Sequence, residues 1–219
     1  MKNGRQCSRA GDRRSYVIHE ALEVGAERLS VAARRTDSTV VFGFWIFLMT
    51  DFVLFASLFA VYAVLHGNTF GGPTGTDIFD APYALIETLL LLTSSFTSGL
   101  SLLAAHREKK GTLVLLLGVT ALLGTIFVGM EVNECSRFAL TGSSPQMSGF
   151  LSSYFALVAT HGLHVSAGIL WMLALIVSLC VRGMTRSNMR KLLLISLFWH
   201  FLDIIWIFIF TIVYMMGIQ

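Results

Sequence analysis

Residues 149–181 read GFLSSYFALVATHGLHVSAGILWMLALIVSLCV, an apolar run without a single Asp, Glu, Lys or Arg. A bilayer core about 30 Å thick needs roughly 20 apolar residues per helical span. This run is longer, which predicts a helix that is tilted or projects from one membrane surface. Lipid offers no partner for unpaired backbone groups, and the alternating pattern of a transmembrane barrel is absent, so the run predicts a transmembrane helix.

Four other apolar runs have a similar length, and the chain is therefore predicted to be an all-α integral membrane protein with a bundle of five transmembrane helices. The composition agrees, because 55% of the 219 residues are hydrophobic and 13% are charged, against about 25% charged in soluble chains. Mean hydropathy is +0.72. A soluble enzyme, a disulfide-rich secreted module and a nucleic-acid-binding domain are excluded, and no nucleic-acid partner is expected. The predicted spans are 40–65, 83–105, 112–135, 149–181 and 191–216.

The distribution of Lys and Arg predicts the orientation of the chain. Residues 1–38 hold eight of these side chains, the 106–111 loop holds three and the 182–191 loop four, so alternating segments carry fifteen and one. By the positive-inside rule, the N-terminus is cytoplasmic and the C-terminus periplasmic. Residues 1–38 are predicted to form a charged, mostly disordered cytoplasmic leader, and residues 39–219 the membrane domain.

Ionisable side chains inside the spans are the candidate functional residues, because each costs several kcal/mol in hydrocarbon unless it is paired or faces protein. Asp51 lies near the middle of the first span, and apart from Lys191 at the first position of the fifth span, no span contains a Lys or Arg to balance it. Asp51 is therefore predicted to be protonated at neutral pH or hydrogen-bonded to a histidine. The other candidates fall into two groups. The first is a buried polar network within the spans, which consists of Glu87, His161, His164, His200 and Asp203. The second is a pair of acids at the outer end of the third span, Glu131 and Glu134.

Several roles fit the spacing of these residues. His161 and His164 share a helix face, and two histidines with carboxylates can bind a metal or carry protons. Interhelical hydrogen bonding with close packing is the favoured alternative. Glu131 and Glu134 rank lowest, because water at the membrane surface can hydrate them. Small residues recur at the interval that close helix packing requires, as Ser95 with Gly99 and Gly162 with Ser166.

The histidine and cysteine counts limit the redox chemistry that the chain itself can perform. Three intramembrane histidines are too few to ligate two haems and a copper, which need about six. The three cysteines form no CxxC or CxxCH motif, so neither a thiolate metal site nor a haem attachment site is expected. The sequence therefore predicts no metal site and no haem in this chain.

Four motifs in order resemble heme-copper oxidase subunit III. THGLHVSAG at 160–168 looks like the HGxHV signature of that family, and FWHFLDIIWIFIF at 198–210 looks like its WHFxDxxW signature. FGFWIFLMTDFVLFASLFAVY at 42–62 is similar to its carboxylate-bearing helix, with Asp51 where that helix carries its acid. GMEVNE at 129–134 is similar to its ExxE element. Five spans and the loop GGPTGTDIF at 71–79 resemble subunit III of bo-type ubiquinol oxidases in particular.

The resemblance implies a non-catalytic accessory subunit of a bacterial inner-membrane complex that oxidises ubiquinol, reduces oxygen and pumps protons. The haems and copper of such a complex lie in subunit I, the main expected contact, and subunits II and IV are further partners. Subunit III carries no catalytic residue or redox centre. It supports assembly, stability and proton uptake, with Asp51 as the acid of the proton-uptake side, and it holds phospholipid.

Three alternatives remain from the sequence. The first is subunit III of a five-span cytochrome c or menaquinol oxidase, the second an autonomous proton or ion transporter, and the third a membrane metalloenzyme that uses the histidines.

Overall fold

The computed structural model describes residues 38–65, 81–140 and 149–215, and these residues are helical apart from two three-residue turns. Five helices are long and apolar enough to cross a membrane, and no strand occurs in the described ranges, so the predicted fold class is confirmed. The helices are α1 Ser38–Leu65, α2 Ala81–His106, α3 Lys110–Leu140, α4 Gly149–Arg182 and α5 Arg186–Ile209, and α5 continues as a π-helical segment, Phe210–Met215.

The chain divides into two compact units, Met1–Ile46 and Phe47–Gln219. Within the first unit, the described residues are 38–46, which form the first turns of α1. The predicted leader lies outside the described residues except for Ser38. The Gly-rich loop after the first span, at 66–80, lies outside them as well.

Helix α5 begins five residues before its predicted start, at Arg186 rather than 191. Thr185 caps it, because the Thr185 hydroxyl accepts a 3.3 Å hydrogen bond from the backbone N–H of Asn188. Such a cap satisfies one of the free N–H groups of a first helical turn. Hydropathy does not reveal this turn, because it is polar and lies before the apolar run.

Contacts within the second unit define two ends for its helices. At the first, which we call the basic end, the turns at 107–109 and 183–185 reverse the chain, and Lys110 Nζ donates a 3.3 Å hydrogen bond to the carbonyl of Cys180. At the other, the acid end, the Tyr83 hydroxyl donates a 3.1 Å hydrogen bond to the carbonyl of Met130. The acid end takes its name from Glu87, Glu131 and Glu134.

Trp199 of α5 lies at the centre of the core and depends on two glycines. It is 2% exposed. A Cβ at Gly124 of α3 would lie 2.7 Å from Trp199 Cη2, and one at Gly168 of α4 would lie 3.2 Å from its Cζ3. The missing side chains therefore let α3 and α4 approach a large ring. Neither glycine is among the packing residues that small-residue spacing predicts.

Candidate functional site

Asp51 of α1 lies beside His164 of α4. Asp51 is 7% exposed, and its Oδ2 lies 3.8 Å from His164 Nε2 without a hydrogen-bond partner among the described residues. The Phe55 ring packs on His164 with centroids 5.3 Å apart. The side chains of His164 and Asp51 are 23% and 10% exposed, so the pair is partly accessible at the surface of this chain.

The protonation of His164 is constrained by its own helix. His164 Nδ1 lies 2.7 Å from the carbonyl oxygen of Thr160, and because a carbonyl only accepts, Nδ1 carries a proton. In a neutral imidazole, Nε2 then presents a lone pair toward the Asp51 carboxyl group. The contact is attractive when one further proton resides on either Asp51 or Nε2. The pair can therefore hold one proton, either on Asp51 or on His164 Nε2.

His161, three residues earlier, has a different environment. It is completely buried, and neither ring nitrogen has a hydrogen-bond partner among the described residues. Its ring packs against Trp206 at 5.3 Å, Phe127 at 6.0 Å and Phe55 at 6.3 Å between centroids. His161 acts as an aromatic core residue in this arrangement, because its surroundings are rings rather than hydrogen-bond partners.

Polar side chains of α2 and α5 meet in a ladder. Trp206 Nε1 donates to Thr88 Oγ1 at 3.1 Å, and Trp199 Nε1 donates to Ser94 Oγ at 3.0 Å. Ser95 Oγ lies 3.0 Å from His200 Nδ1. Asp203, which is 9% exposed, interacts with Ser95 and His200. These bonds fix the antiparallel register of α2 against α5.

The acid end holds three buried carboxyl groups from two helices. Glu87 of α2 is 0% exposed, and Glu131 and Glu134 of α3 are 5% and 6% exposed. The three groups are close enough to interact electrostatically with one another. The Tyr154 hydroxyl donates a 3.5 Å hydrogen bond to Glu134 Oε2. The expectation that water hydrates Glu131 and Glu134 is corrected here, because side chains of neighbouring helices cover both.

Gly162 of α4 contacts this cluster, and Gly99 differs from it. A Cβ at 162 would lie 2.6 Å from Glu131 Oε2, whereas one at Gly99 would meet nothing within 4 Å. The Ser166 hydroxyl donates to the carbonyl of Gly162 in its own helix at 2.8 Å. Of the four predicted packing residues, Gly162 and Ser95 thus lie at helix contacts, while Gly99 leaves open space.

The predicted polar residues therefore form three groups instead of one network. His164 pairs with α1, His200 and Asp203 meet α2, and His161 packs among rings. The sequence could not assign these partners, because helix periodicity gives the residues that share a face but not the helix which that face meets. Thr88, Ser94, Trp199 and Trp206 were missed, although the seven-residue spacing of the two tryptophans places them on one face.

A metal centre is not assembled in the described ranges. Among those residues, no group of three or more His, Cys, Asp or Glu side chains could hold a metal ion. His161 lies among aromatic rings, and His164 is oriented by Thr160 and Asp51. The ligand set that the metalloenzyme alternative requires is therefore missing from that part of the chain.

Comparison with known proteins identifies the family of this chain. A family model described as cytochrome c oxidase subunit III matches residues 17–218. The cytochrome bo(3) ubiquinol oxidase subunit 3 of Pseudomonas aeruginosa is 56% identical over 200 residues, which cover 91% of this chain and 95% of that protein. The protein of the same name from Pseudomonas putida is 49% identical over 204 residues, covering 93% and 99%. A probable quinol oxidase subunit 3 from Staphylococcus haemolyticus is 45% identical over 176 residues, covering 80% and 88%.

Proposed function

Because the chain belongs to the cytochrome c oxidase subunit III family, we propose that it is the third subunit of a proton-pumping ubiquinol oxidase. The family and five membrane-spanning helices make it a multi-pass protein of the bacterial inner membrane. One observation carries the choice of ubiquinol as electron donor. The chain is 56% identical to a relative named as a ubiquinol oxidase subunit, along nearly the full length of both proteins.

The chain serves this complex without catalysing electron transfer itself. Two intramembrane histidines are engaged in helix packing, with His161 buried among aromatic rings and the half-buried His200 bonded to Ser95. Subunit I is the expected main partner and holds the haems and copper, while subunits II and IV complete the complex. Subunit III acts by supporting the assembly and stability of that core.

The Asp51–His164 pair supports a role in proton uptake. The pair can hold one proton, lies in the middle of α1 and α4, and is partly open at the surface of the chain. A proton held there can exchange with a group of a neighbouring subunit after a small side-chain movement. His164 and Thr160 orient the proton, and Asp51 receives or releases it.

Copurification tests the assignment. The tagged chain is extracted from native membranes in mild detergent, and the haem spectrum, subunit content and oxygen uptake are measured on the same sample. We expect haem-bearing partners and oxygen uptake that depends on ubiquinol. Oxygen uptake driven by reduced cytochrome c or by menaquinol would instead assign the chain to one of those five-span oxidases.

A second outcome would overturn the family role altogether. If the chain is isolated alone and colourless even after the mildest extraction, the transporter alternative is tested by proton flux in liposomes that contain only this chain. Asp51→Asn is the matched control for that assay, because it removes the buried acid with little change in volume.

A further inference from the structure

A groove between α2 and α3 opens at the basic end, and none of its lining residues belongs to the Asp51–His164 pair, the ladder or the acid cluster. Its volume is about 340 Å³, within the range of roughly 300–1,000 Å³ that is usual for small-molecule sites. Leu100, Leu103 and Ala104 of α2 form one wall, and Leu116 of α3 forms the other. Arg107, Lys109 and Thr112 line the groove beside the turn.

The groove fits within one leaflet of a bilayer. Thr97 and Thr120 share a 2.8 Å hydrogen bond that joins α2 to α3, about one turn beyond Leu100 and Leu116. From Leu100 to Arg107 a helix rises roughly 10 Å, which is less than half of a hydrocarbon core about 30 Å thick. The apolar walls therefore lie at acyl-chain depth, and the two cations lie at headgroup depth.

The groove opens between two cations, Arg107 and Lys109. Arg107 and Lys109 are exposed, and neither forms an ion pair or a side-chain hydrogen bond within the described part of the chain. Lys110, by contrast, donates to the end of α4. Glu108 lies between the two cations in sequence but does not line the groove. Two cations and a hydroxyl group therefore line the groove, and no acid lines it within the described part of the chain.

The backbone of the turn holds these cations in place. Lys109 N–H donates to the carbonyl of Ala104 at 3.2 Å, and Glu108 N–H donates to that of Ala105 at 3.1 Å. This bond pair is the Schellman motif, whose residue in the left-handed region is usually glycine. Here that residue is Glu108, with φ of 55°. The turn thus reverses the chain within three residues and fixes Arg107 and Lys109 on either side of the strained position.

We propose that this groove binds one anionic phospholipid, with its phosphate at Arg107, Lys109 and Thr112 and an acyl chain along Leu100, Leu103 and Leu116. Basic pockets between transmembrane helices recognise anionic headgroups, and each nearby Lys or Arg strengthens the attraction. An acyl chain matches the apolar walls, whereas free phosphate would leave them uncovered. The charge of the mouth selects an anionic over a zwitterionic lipid.

Photolabelling tests the proposal. The tagged full-length chain, with the subunits that copurify with it, is reconstituted in phosphatidylcholine vesicles that contain phosphatidylglycerol with a diazirine on its acyl chain. After irradiation, labelled peptides are mapped along the chain. We expect labelling of the segment 100–116, reduced about tenfold or more in an Arg107→Gln, Lys109→Gln double variant.

Matched variants separate this site from general attraction to the membrane. Arg182→Gln with Lys191→Gln removes two exposed cations of the same end outside the groove, and it should leave labelling of 100–116 unchanged. Leu103→Trp narrows the groove from its lipid-facing side and should reduce labelling, whereas Leu115→Trp on an exposed face should not. The Leu103 variant keeps the test decisive if the double variant does not assemble.

Four results would overturn the proposal. Equal labelling of 100–116 in wild type and in both groove variants would show that no lipid occupies the groove. Equal labelling by a diazirine phosphatidylcholine would show that the cations do not select the lipid. Loss of labelling upon addition of inorganic phosphate at constant ionic strength would assign the site to free phosphate. Displacement of the probe by a copurifying subunit would assign the groove to a protein partner.

Discussion

Glycine positions in the core show how single residues determine helix packing here. Gly124 contacts the rigid ring of Trp199, whereas Gly118 on the same helix would place a Cβ in open space. We predict that Gly124→Ala lowers the free energy of unfolding by about 1–3 kcal/mol, because neither the ring nor the backbone can yield without strain. Titration of the purified complex with SDS measures the change.

Gly118→Ala is the control for that prediction. It adds the same methyl group without a clash, and replacing glycine by alanine within a helix gains up to about 1 kcal/mol from propensity. If both variants unfold at the same SDS concentration, the contact between Gly124 and Trp199 does not limit the packing of α3 against α5.

Asp51 and His164 lead to a spectroscopic prediction. The tautomer that Thr160 imposes on His164 leaves one proton to be shared, and we predict that Asp51 carries it at neutral pH. Infrared spectra should then show a protonated carboxyl band that disappears in Asp51→Asn. In His164→Gln the band should remain and shift, because the carboxyl group loses its imidazole neighbour. A band unaffected by Asp51→Asn would contradict the prediction.

The buried acids show which properties of a side chain could be inferred from the sequence and which could not. Hydropathy and charge identified Asp51 as a buried acid with no Lys or Arg in the interior of any span. His164 lies beside it, but the 3.8 Å between Asp51 Oδ2 and His164 Nε2 is longer than a hydrogen bond, so the predicted hydrogen bond to a histidine is not formed in this arrangement. Which histidine lies beside it depends on the rotation of α4 about its axis, and no local pattern encodes that angle. Burial of Glu131 and Glu134 was missed for the same reason, because the cover comes from other helices.

Among the connections between helices, the turn from α2 to α3 stores strain. Glu108 has a φ of 55°, a region that costs roughly 1–2 kcal/mol for residues other than glycine. We predict that Glu108→Gly raises the free energy of unfolding by about 1 kcal/mol, because glycine adopts this conformation without the Cβ penalty. The increase is measured by the same SDS titration.

Glu108→Ala distinguishes backbone strain from charge. It removes the carboxylate but retains the Cβ, so we expect little gain in stability relative to the glycine variant. An equal gain in both variants would mean that the acid between Arg107 and Lys109, rather than the backbone, sets the cost of the turn.

The ladder between α2 and α5 predicts a measurable coupling. Trp199→Phe and Ser94→Ala each remove one side of a 3.0 Å hydrogen bond. Such bonds between transmembrane helices contribute on average about 0.6 kcal/mol, and we expect a coupling energy of that size in a double-mutant cycle. A cycle of Trp199→Phe with Thr93→Ala should show none, because within the described residues the Thr93 hydroxyl bonds to the carbonyl of Leu89 in its own helix and not to α5. Coupling in both cycles would contradict this assignment.

Helices were easier to predict than their contacts. The five spans follow from apolar runs, because lipid enforces the helix wherever about 20 apolar residues are consecutive. The added turns at the helix ends, such as the one capped by Thr185, consist of polar residues. An average of hydropathy over a long window does not detect them. The left-handed conformation of Glu108 has no sequence signal, since the expected glycine is absent.

Across the second unit, the two ends differ in chemistry. The basic end combines exposed cations with an apolar groove, and the acid end buries three carboxyl groups from α2 and α3. The positive-inside rule assigns the basic end to the cytoplasm. Under that assignment, the proposed lipid lies in the inner leaflet and the buried acids lie near the periplasm.

Cysteine accessibility tests this orientation. Ser187 in the first turn of α5 and Ser136 in the last turns of α3 are both exposed, and they lie at the basic and acid ends respectively. In a chain whose three cysteines are replaced by serine, Ser187→Cys should react with a membrane-impermeant maleimide only in inverted vesicles. Ser136→Cys should react only in intact spheroplasts, because fifteen of the sixteen Lys and Arg residues anchor the opposite side in the cytoplasm. The serine-only chain is the blank, and the reverse labelling pattern would place the basic end, and with it the lipid groove, at the periplasmic surface.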